Sequence, residues 1–333
     1  MTFEAIISEL KAGKYAPVYL LHGEESFFID KISKFIEDHV LSESEKAFNQ
    51  IVMYGKEVTP GQVIDNARQF PMMAERRVVV VKEAQALAKI DQLESYVKNP
   101  SPQTVLVINH KYKKLDGRNK LAKVIKGKGI IFDSKKLYDN QIATWISKAV
   151  NGRGKAIDPA AAQIMAEYLG SDLSKISNEI DKIVVNLKDE KSISVKVIQD
   201  QVGITKDYNV FELQNALSQK NTEKVFRIVK YFSENPKSGP IVMVLASLYG
   251  YFTKVFTATY YAKGKSDKEL AALVGVSPYF VSDYKKAAKN YSVGKLVTIF
   301  AALKTADLRS KGVGARKMEH SEILRDLMIK ILY

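Results

Sequence analysis

The chain has 333 residues, more than one ordinary hydrophobic core serves, so two or three domains are expected. It contains no cysteine, which excludes disulfides, thiolate metal sites and cysteine nucleophiles. Fifty-one Lys and Arg against thirty-seven Asp and Glu give a net charge of +14, which attracts polyanions such as nucleic acid but is weak evidence for one on its own.

The N-terminal sequence has no feature of an export signal. It begins Met1-Thr2-Phe3-Glu4, without the basic and apolar regions of a signal peptide. We expect the longest apolar runs to be far shorter than a membrane span. We therefore expect a cytoplasmic protein with no membrane partner.

Residues 1–138 alternate helical patterns with short apolar strands. Apolar runs predict strands at 17–21, 78–81, 104–108 and 129–132, and the spacing of apolar residues predicts an amphipathic helix over 26–40. Strands separated by helices of this length indicate a parallel sheet covered on both faces.

The loop after the first strand, His22 to Phe28, stands where α/β nucleotide-binding folds carry the phosphate loop. The glycines, lysine and hydroxyl of that loop are missing at the required offsets, and Glu24 and Glu25 would repel a triphosphate. The strand at 105–108 is followed by Asn109-His110-Lys111, without an acidic pair for magnesium. We therefore predict no ATP binding and no cofactor.

Metal binding is not predicted either. The four histidines, His22, His39, His110 and His320, do not have the spacing of metal ligands.

A helix and a strand meet at a corner that contains two methionines. Thr59 and Pro60 suit the start of a helix, and Pro71 ends it, which leaves Met72 and Met73 just before the valine strand. Two flexible thioethers at an exposed corner suit a pocket on a partner. The alternative is that they fold back onto their own core.

A basic run follows the strand at 104–108 and includes one aromatic residue, Tyr112. Its possible DNA contacts are Lys113, Lys114, Arg118 and Lys120, and Lys111, Lys123, Lys126 and Lys128 complete the run. Phosphate contact is one interpretation, and a solvated helix face with flanking loops is the other.

The rest of the chain is almost wholly helical, with a small helical domain predicted over 139–207 and a longer helical bundle over 208–333. Trp145, the only tryptophan, is interpreted as a core anchor. Aromatic residues at mixed spacing predict that the helix over 241–261 is buried on several sides.

Residues 268–290 have the pattern of a helix-turn-helix, with a glycine at the turn. A DNA-binding motif would expose Tyr279, Asp283 and Tyr284, which are poor base readers. Two antiparallel helices in a bundle give the same pattern, and a DNA-binding regulator is kept as the alternative function.

Several segments, in order along nearly the whole chain, resemble the delta subunit family of the bacterial DNA polymerase III clamp loader. They are Pro17 to Glu25, Phe70 to Arg77 before the valine strand, Trp145-Ile146, Gly170 to Leu173 with Asn178, Glu179 and Lys182, and Ala306 to Gly312. Many family members carry Phe or Leu where this chain has its methionine pair.

The resemblance implies three domains: a degenerate AAA+-like α/β domain over 1–138, a helical lid over 139–207 and a helical collar over 208–333. It implies a subunit of the polymerase holoenzyme with no catalysis of its own. Its collar would join ATPase subunits of the tau/gamma type and a delta-prime-type subunit, and primer-template DNA would be a further partner.

The resemblance also implies how the methionine corner acts. In the family, an apolar pair before the valine-rich strand enters a pocket on the ring-shaped beta sliding clamp and favours its open form. By position that pair is Met72 and Met73, with Phe70 and Pro71 as the support that aims it and Val78 to Val81 as the rigid base.

Overall fold

The computed structural model describes residues 1–187, 191–202, 208–236, 239–262, 264–276, 278–314 and 318–333, with the backbone alone at 139, 167, 199, 202 and 279. The chain forms two compact units, Met1–Leu137 and Tyr138–Tyr333. The predicted domain limits at 138 and 207 stay predictions, and the second of them borders residues 203–207, which lie outside the described residues.

The first unit alternates helices and strands. Its strands are β1 (Val18–Gly23), β2 (Gln50–Tyr54), β3 (Arg77–Lys82), β4 (Thr104–Lys111) and β5 (Ile130–Ser134). Its helices are α1 (Phe3–Lys11), α2 (Ser26–His39), α3 (Glu43–Asn49), α4 (Pro60–Arg68), α5 (Glu94–Val97) and α6 (Lys120–Lys128).

The five strands form one sheet in the order β2-β3-β4-β1-β5, and every neighbouring pair is parallel. This confirms the predicted parallel sheet. β2 was not predicted, because it is a short edge strand in which Val52 and Tyr54 remain exposed.

The valine strand is buried on both faces, as predicted. Val78 and Val80 pack with the apolar side of α2, while Val79 and Val81 pack with α4 and α6 on the opposite face. All four valines are fully buried, so β3 is a rigid base for the loop that precedes it.

The second unit is helical apart from a short parallel ribbon of β6 (Ala156–Ile157) and β7 (Ser192–Ile193). Its helices are α7 (Asp139–Asn151), α8 (Pro159–Leu169), α9 (Leu173–Asn186), α10 (Val195–Val202), α11 (Val210–Ser218), α12 (Thr222–Glu234), α13 (Ile241–Tyr261), α14 (Asp267–Val274), α15 (Val281–Asn290), α16 (Val293–Ser310) and α17 (His320–Leu332).

Trp145 is half-buried and lies beside the buried Ile142, Ile146 and Val150 of α7, so its interpretation as a core anchor stays a prediction. One expectation for these helices is wrong. In α13 the eight buried residues recur at helical spacing on one stripe, and Tyr249 and Tyr260 are exposed.

α13 also corrects the expectation that every apolar run is shorter than a membrane span. By length and composition it is the one helix among the described residues that could cross a membrane, a test that core helices of soluble proteins also pass. Its buried residues belong to the hydrophobic cluster that α11 to α17 share.

Residues 268–290 form two helices of that same cluster rather than an exposed DNA-reading pair. Tyr284, expected to face outwards, is only 8% exposed, and Val281 and Ala287 on the same helix are buried. The exposed side of α15 carries Asp283, whose carboxylate lies 3.8 Å from the ammonium of Lys286. The side chain of Tyr279 lies outside the described residues.

Candidate functional site

The methionine corner is the loop between α4 and β3. α4 begins after Thr59, as predicted. The Thr59 hydroxyl accepts from the Gln62 N–H (3.3 Å), and the Gln62 side chain accepts from the Thr59 N–H (2.8 Å). Gln69, after the last helical residue, is already extended. The chain then crosses the surface until β3 begins at Arg77.

The apolar side chains of this loop face solvent. Met73 is 100% exposed, Phe70 80% and Met72 59%, while Pro71 is half-buried. The alternative in which both methionines fold back onto the core is therefore wrong. Phe70 cannot support the pair through packing, because it is itself exposed, and it extends the apolar surface instead.

The support comes from two residues that sequence reasoning missed. Asn49, at the end of α3, is fully buried and bonds both backbone polar groups of Met72. Arg77 is 6% exposed, and its guanidinium donates to the Asn66 carbonyl (2.9 Å), the Phe48 carbonyl (3.1 Å) and the Gln69 side chain (2.7 Å).

These bonds tie the loop to α3 and to the end of α4. Phe48, the residue before Asn49, is 64% exposed, and its carbonyl is the one that accepts from Arg77. Phe70, Met72 and Met73 are three exposed apolar side chains within four residues of one loop. Exposed apolar groups that cluster in this way mark interaction sites more often than scattered ones do.

The carboxyl end of β1, where open parallel sheets bind ligands, is occupied by the chain's own groups. The Gly23 N–H donates to the Lys113 carbonyl and the Glu25 N–H to the Ser134 carbonyl, both at 3.2 Å. The Phe27 N–H donates to the Glu25 carboxylate (3.0 Å). These three amides are not free for phosphate.

A lysine does lie beside this degenerate site, but it is held by carboxylates. The ammonium of Lys111, at the end of β4, lies 2.7 Å from Asp30 on α2 and 3.3 Å from Glu83. Burial alone would lower the pKa of Lys111, yet the two carboxylates raise it above its ordinary value. Its charge is therefore used within the fold.

Two histidines are also built into this end of the sheet. His22 and His110 are register partners on β1 and β4. The Leu115 N–H donates to Nδ1 of His22 (2.9 Å), which requires that nitrogen to be unprotonated. Burial lowers the pKa of both side chains, so both are neutral structural groups at pH 7.

The predicted DNA contacts are all exposed, but two of them are paired. Lys114 lies 2.7 Å from Asp133, and Arg118 lies 2.9 Å from Asp116. Lys113 and Lys120 make no ion pair with any described residue. Lys123, Lys126 and Lys128, on α6, are likewise exposed and make no ion pair with a described residue, so Lys114 and Arg118 are the least available members of the run.

Among the residues that the structure describes, no group of three or more His, Asp or Glu side chains is placed to hold a metal ion.

Known proteins match this chain along most of its length. Residues 19–135 match the family of the DNA polymerase III delta subunit, and residues 207–329 match the family of that subunit's C-terminal domain. The chain is 28% identical over 323 residues to the DNA polymerase III subunit delta of Bacillus subtilis (strain 168), covering 93% of this chain and 92% of the relative. It is similar to the solved structure of the Bacillus subtilis DNA clamp loader delta protein (YqeN), with TM-score 0.58, 25% identity and 99% of both chains covered.

The fold is therefore of the clamp-loader delta class, with an α/β unit built on a parallel sheet followed by helical regions. The chain belongs to the DNA polymerase III delta subunit family. It has a role in the DNA polymerase III clamp loader, in DNA replication.

Proposed function

We propose that this chain binds the bacterial beta sliding clamp through Met72 and Met73, with Phe70 and Pro71 beside them, and favours the open ring. One observation carries the proposal. Buried Asn49 bonds both backbone groups of Met72, while the Met73 side chain is completely exposed. A fixed backbone that presents apolar side chains to water suits insertion into a pocket.

The energy available from this contact is moderate. Burying two methionine side chains contributes about 3 to 6 kcal/mol before the costs of association. A protein opens a ring only by the amount that it binds the open state better than the closed one. This is enough to bias one strained interface and too little to break a large one.

The energy of nucleotide hydrolysis comes from other subunits in this proposal. Because the amides at the end of β1 are bonded within the fold, the chain itself is not catalytic. It acts within the polymerase holoenzyme, in the cytoplasm, by changing its contact with the clamp. The collar, 208–333, joins the tau/gamma-type ATPase subunits and a delta-prime-type subunit. Exposed apolar residues of α13 support such a contact, namely Val242, Met243, Tyr249 and Tyr260.

We expect the purified chain alone to bind an immobilised sliding clamp, with the same dissociation constant in the presence and absence of ATP and Mg²⁺. Nucleotide has no effect because the amides at Gly23, Glu25 and Phe27 are already bonded within the fold. The measurement is a binding titration by surface plasmon resonance. Absence of binding, or binding that requires ATP, would contradict the proposal.

We propose a second, weaker contact between the basic run and primer-template DNA. Of the four predicted DNA contacts, Lys113 and Lys120 carry most of it, since they are exposed and unpaired within the described residues, whereas Lys114 and Arg118 are neutralised in part by Asp133 and Asp116.

For each of Lys113→Ala and Lys120→Ala, we expect the slope of log K against log salt concentration to fall by about one unit, because one phosphate contact is lost. Arg118→Ala is the matched control and is expected to change the slope by less. Fluorescence anisotropy of labelled primed DNA over a salt series measures this. Equal slopes for all four proteins would show that neither Lys113 nor Lys120 contacts phosphate and would contradict this second contact.

A further inference from the structure

Asn49 is placed to control the conformation of the methionine loop. The Met72 N–H donates to Oδ1 of Asn49 (2.6 Å), and Nδ2 of Asn49 donates to the Met72 carbonyl (2.9 Å). The second hydrogen on Nδ2 goes to the Glu45 carbonyl in α3 (3.1 Å). The amide group of one fully buried side chain thus bonds both backbone groups of Met72 and ties them to a helix.

The next residue needs such a restraint. Met73 has φ of +52°, a left-handed conformation that costs a residue with a Cβ about 1 to 2 kcal/mol. Its side chain is completely exposed, so its own packing does not hold it there. On the other side of the loop, the Arg77 N–H donates to the Gln103 carbonyl (2.8 Å) and starts the ladder of β3.

We infer that Asn49 is a positioning residue for clamp binding, one that keeps Met72 and Met73 in a conformation ready to dock. This inference rests on the proposed clamp contact. A loop that samples other conformers binds with an affinity reduced by the fraction that is competent. The ordering cost is otherwise met at the moment of binding.

The rate constants distinguish this role from a direct contact. For Asn49→Ala, we expect the association rate constant with the clamp to fall about tenfold and the dissociation rate constant to change less than about twofold, because fewer molecules present a competent loop. For Met73→Ala, we expect the dissociation rate constant to rise and the association rate constant to change little, since this variant removes a contact from the complex itself. Stopped-flow mixing of full-length chain with labelled clamp measures both constants.

Asn235→Ala is the matched control. Its side-chain amide donates to the Tyr231 carbonyl at the end of α12 (3.1 Å), in the second unit, and both rate constants are expected to stay unchanged. Asn49→Ser keeps one group that can bond Met72, and an intermediate association rate is expected. It also serves as the test variant if Asn49→Ala does not fold. A merely unfolded fraction would lower the amplitude of the signal and leave the association rate of the remaining molecules unchanged.

Two outcomes would overturn the inference. One is an unchanged association rate for both Asn49 variants while Met72→Ala/Met73→Ala abolishes binding, which removes the inference and leaves the clamp contact in place. The other is full binding by Met72→Ala/Met73→Ala, which removes both together.

Discussion

Replacing Met72 and Met73 together with Ala is expected to weaken binding to the sliding clamp by about a hundredfold or more. The lost burial is worth about 3 kcal/mol or more, and every 1.4 kcal/mol is a factor of ten in the dissociation constant. Equilibrium binding of the full-length variant to the clamp, compared with the unchanged chain, is the measurement.

The same double variant is expected to keep its stability. Both side chains are exposed, and surface substitutions usually change the free energy of unfolding by no more than about 0.5 kcal/mol. Val242→Ala/Met243→Ala on α13 is the matched control, because it removes a comparable exposed apolar pair from the second unit. It should bind the clamp normally. Equal losses in both variants would mean that the methionine loop has no specific role.

Gly23→Ala is expected to lower the free energy of unfolding of the first unit by about 2 to 5 kcal/mol, the sum of backbone strain and overpacking. Gly23 has φ of +127°, and an added Cβ would lie 2.2 Å from the Ser134 carbonyl oxygen. The close approach of β1 to β5 therefore leaves no room for a side chain at this position. A urea titration measures the free energy of unfolding. Native-state hydrogen exchange of the β1 and β4 amides shows whether the loss lies in the first unit.

Gly13→Ala separates the two causes of that loss. Gly13 also has a positive φ, +72°, but an added Cβ there would meet nothing within 4 Å. It is expected to cost about 1 to 2 kcal/mol, from strain alone. If Gly23→Ala costs no more than Gly13→Ala, the end of β1 is looser than the structure shows, and a ligand could enter it.

Most of the first unit could be predicted from the sequence, because its central strands are continuous apolar runs. Val78 to Val81 are buried on both faces, and no alternation of polar residues obscures them. β2 could not be predicted in the same way, since an edge strand needs burial on one side only and its Val52 and Tyr54 are exposed.

The helical unit was harder, because composition does not reveal which side of a helix is covered. Trp145 was interpreted as a core anchor, and it is half-buried beside three buried aliphatic residues of α7. Tyr284 was expected to face solvent if the pair at 268–290 read DNA, and it is buried because both helices pack in the bundle.

The methionine pair was visible in the sequence because Pro71 and the valine strand bracket it. Its support was not, because Asn49 lies 23 positions before Met72 and the Phe48 carbonyl lies 29 positions before Arg77. A buried asparagine at a helix end looks like an ordinary helix terminator until the fold brings the loop beside it.

The most direct test of the proposed ring opening compares two forms of the clamp. One is the closed ring, and the other is a variant whose ring interface has been disrupted so that it is monomeric. We expect the chain to bind the monomer at least about tenfold more tightly, because it need not work against the closed interface. Equal affinity for the two forms would contradict ring opening, even if Met72 and Met73 proved essential for binding.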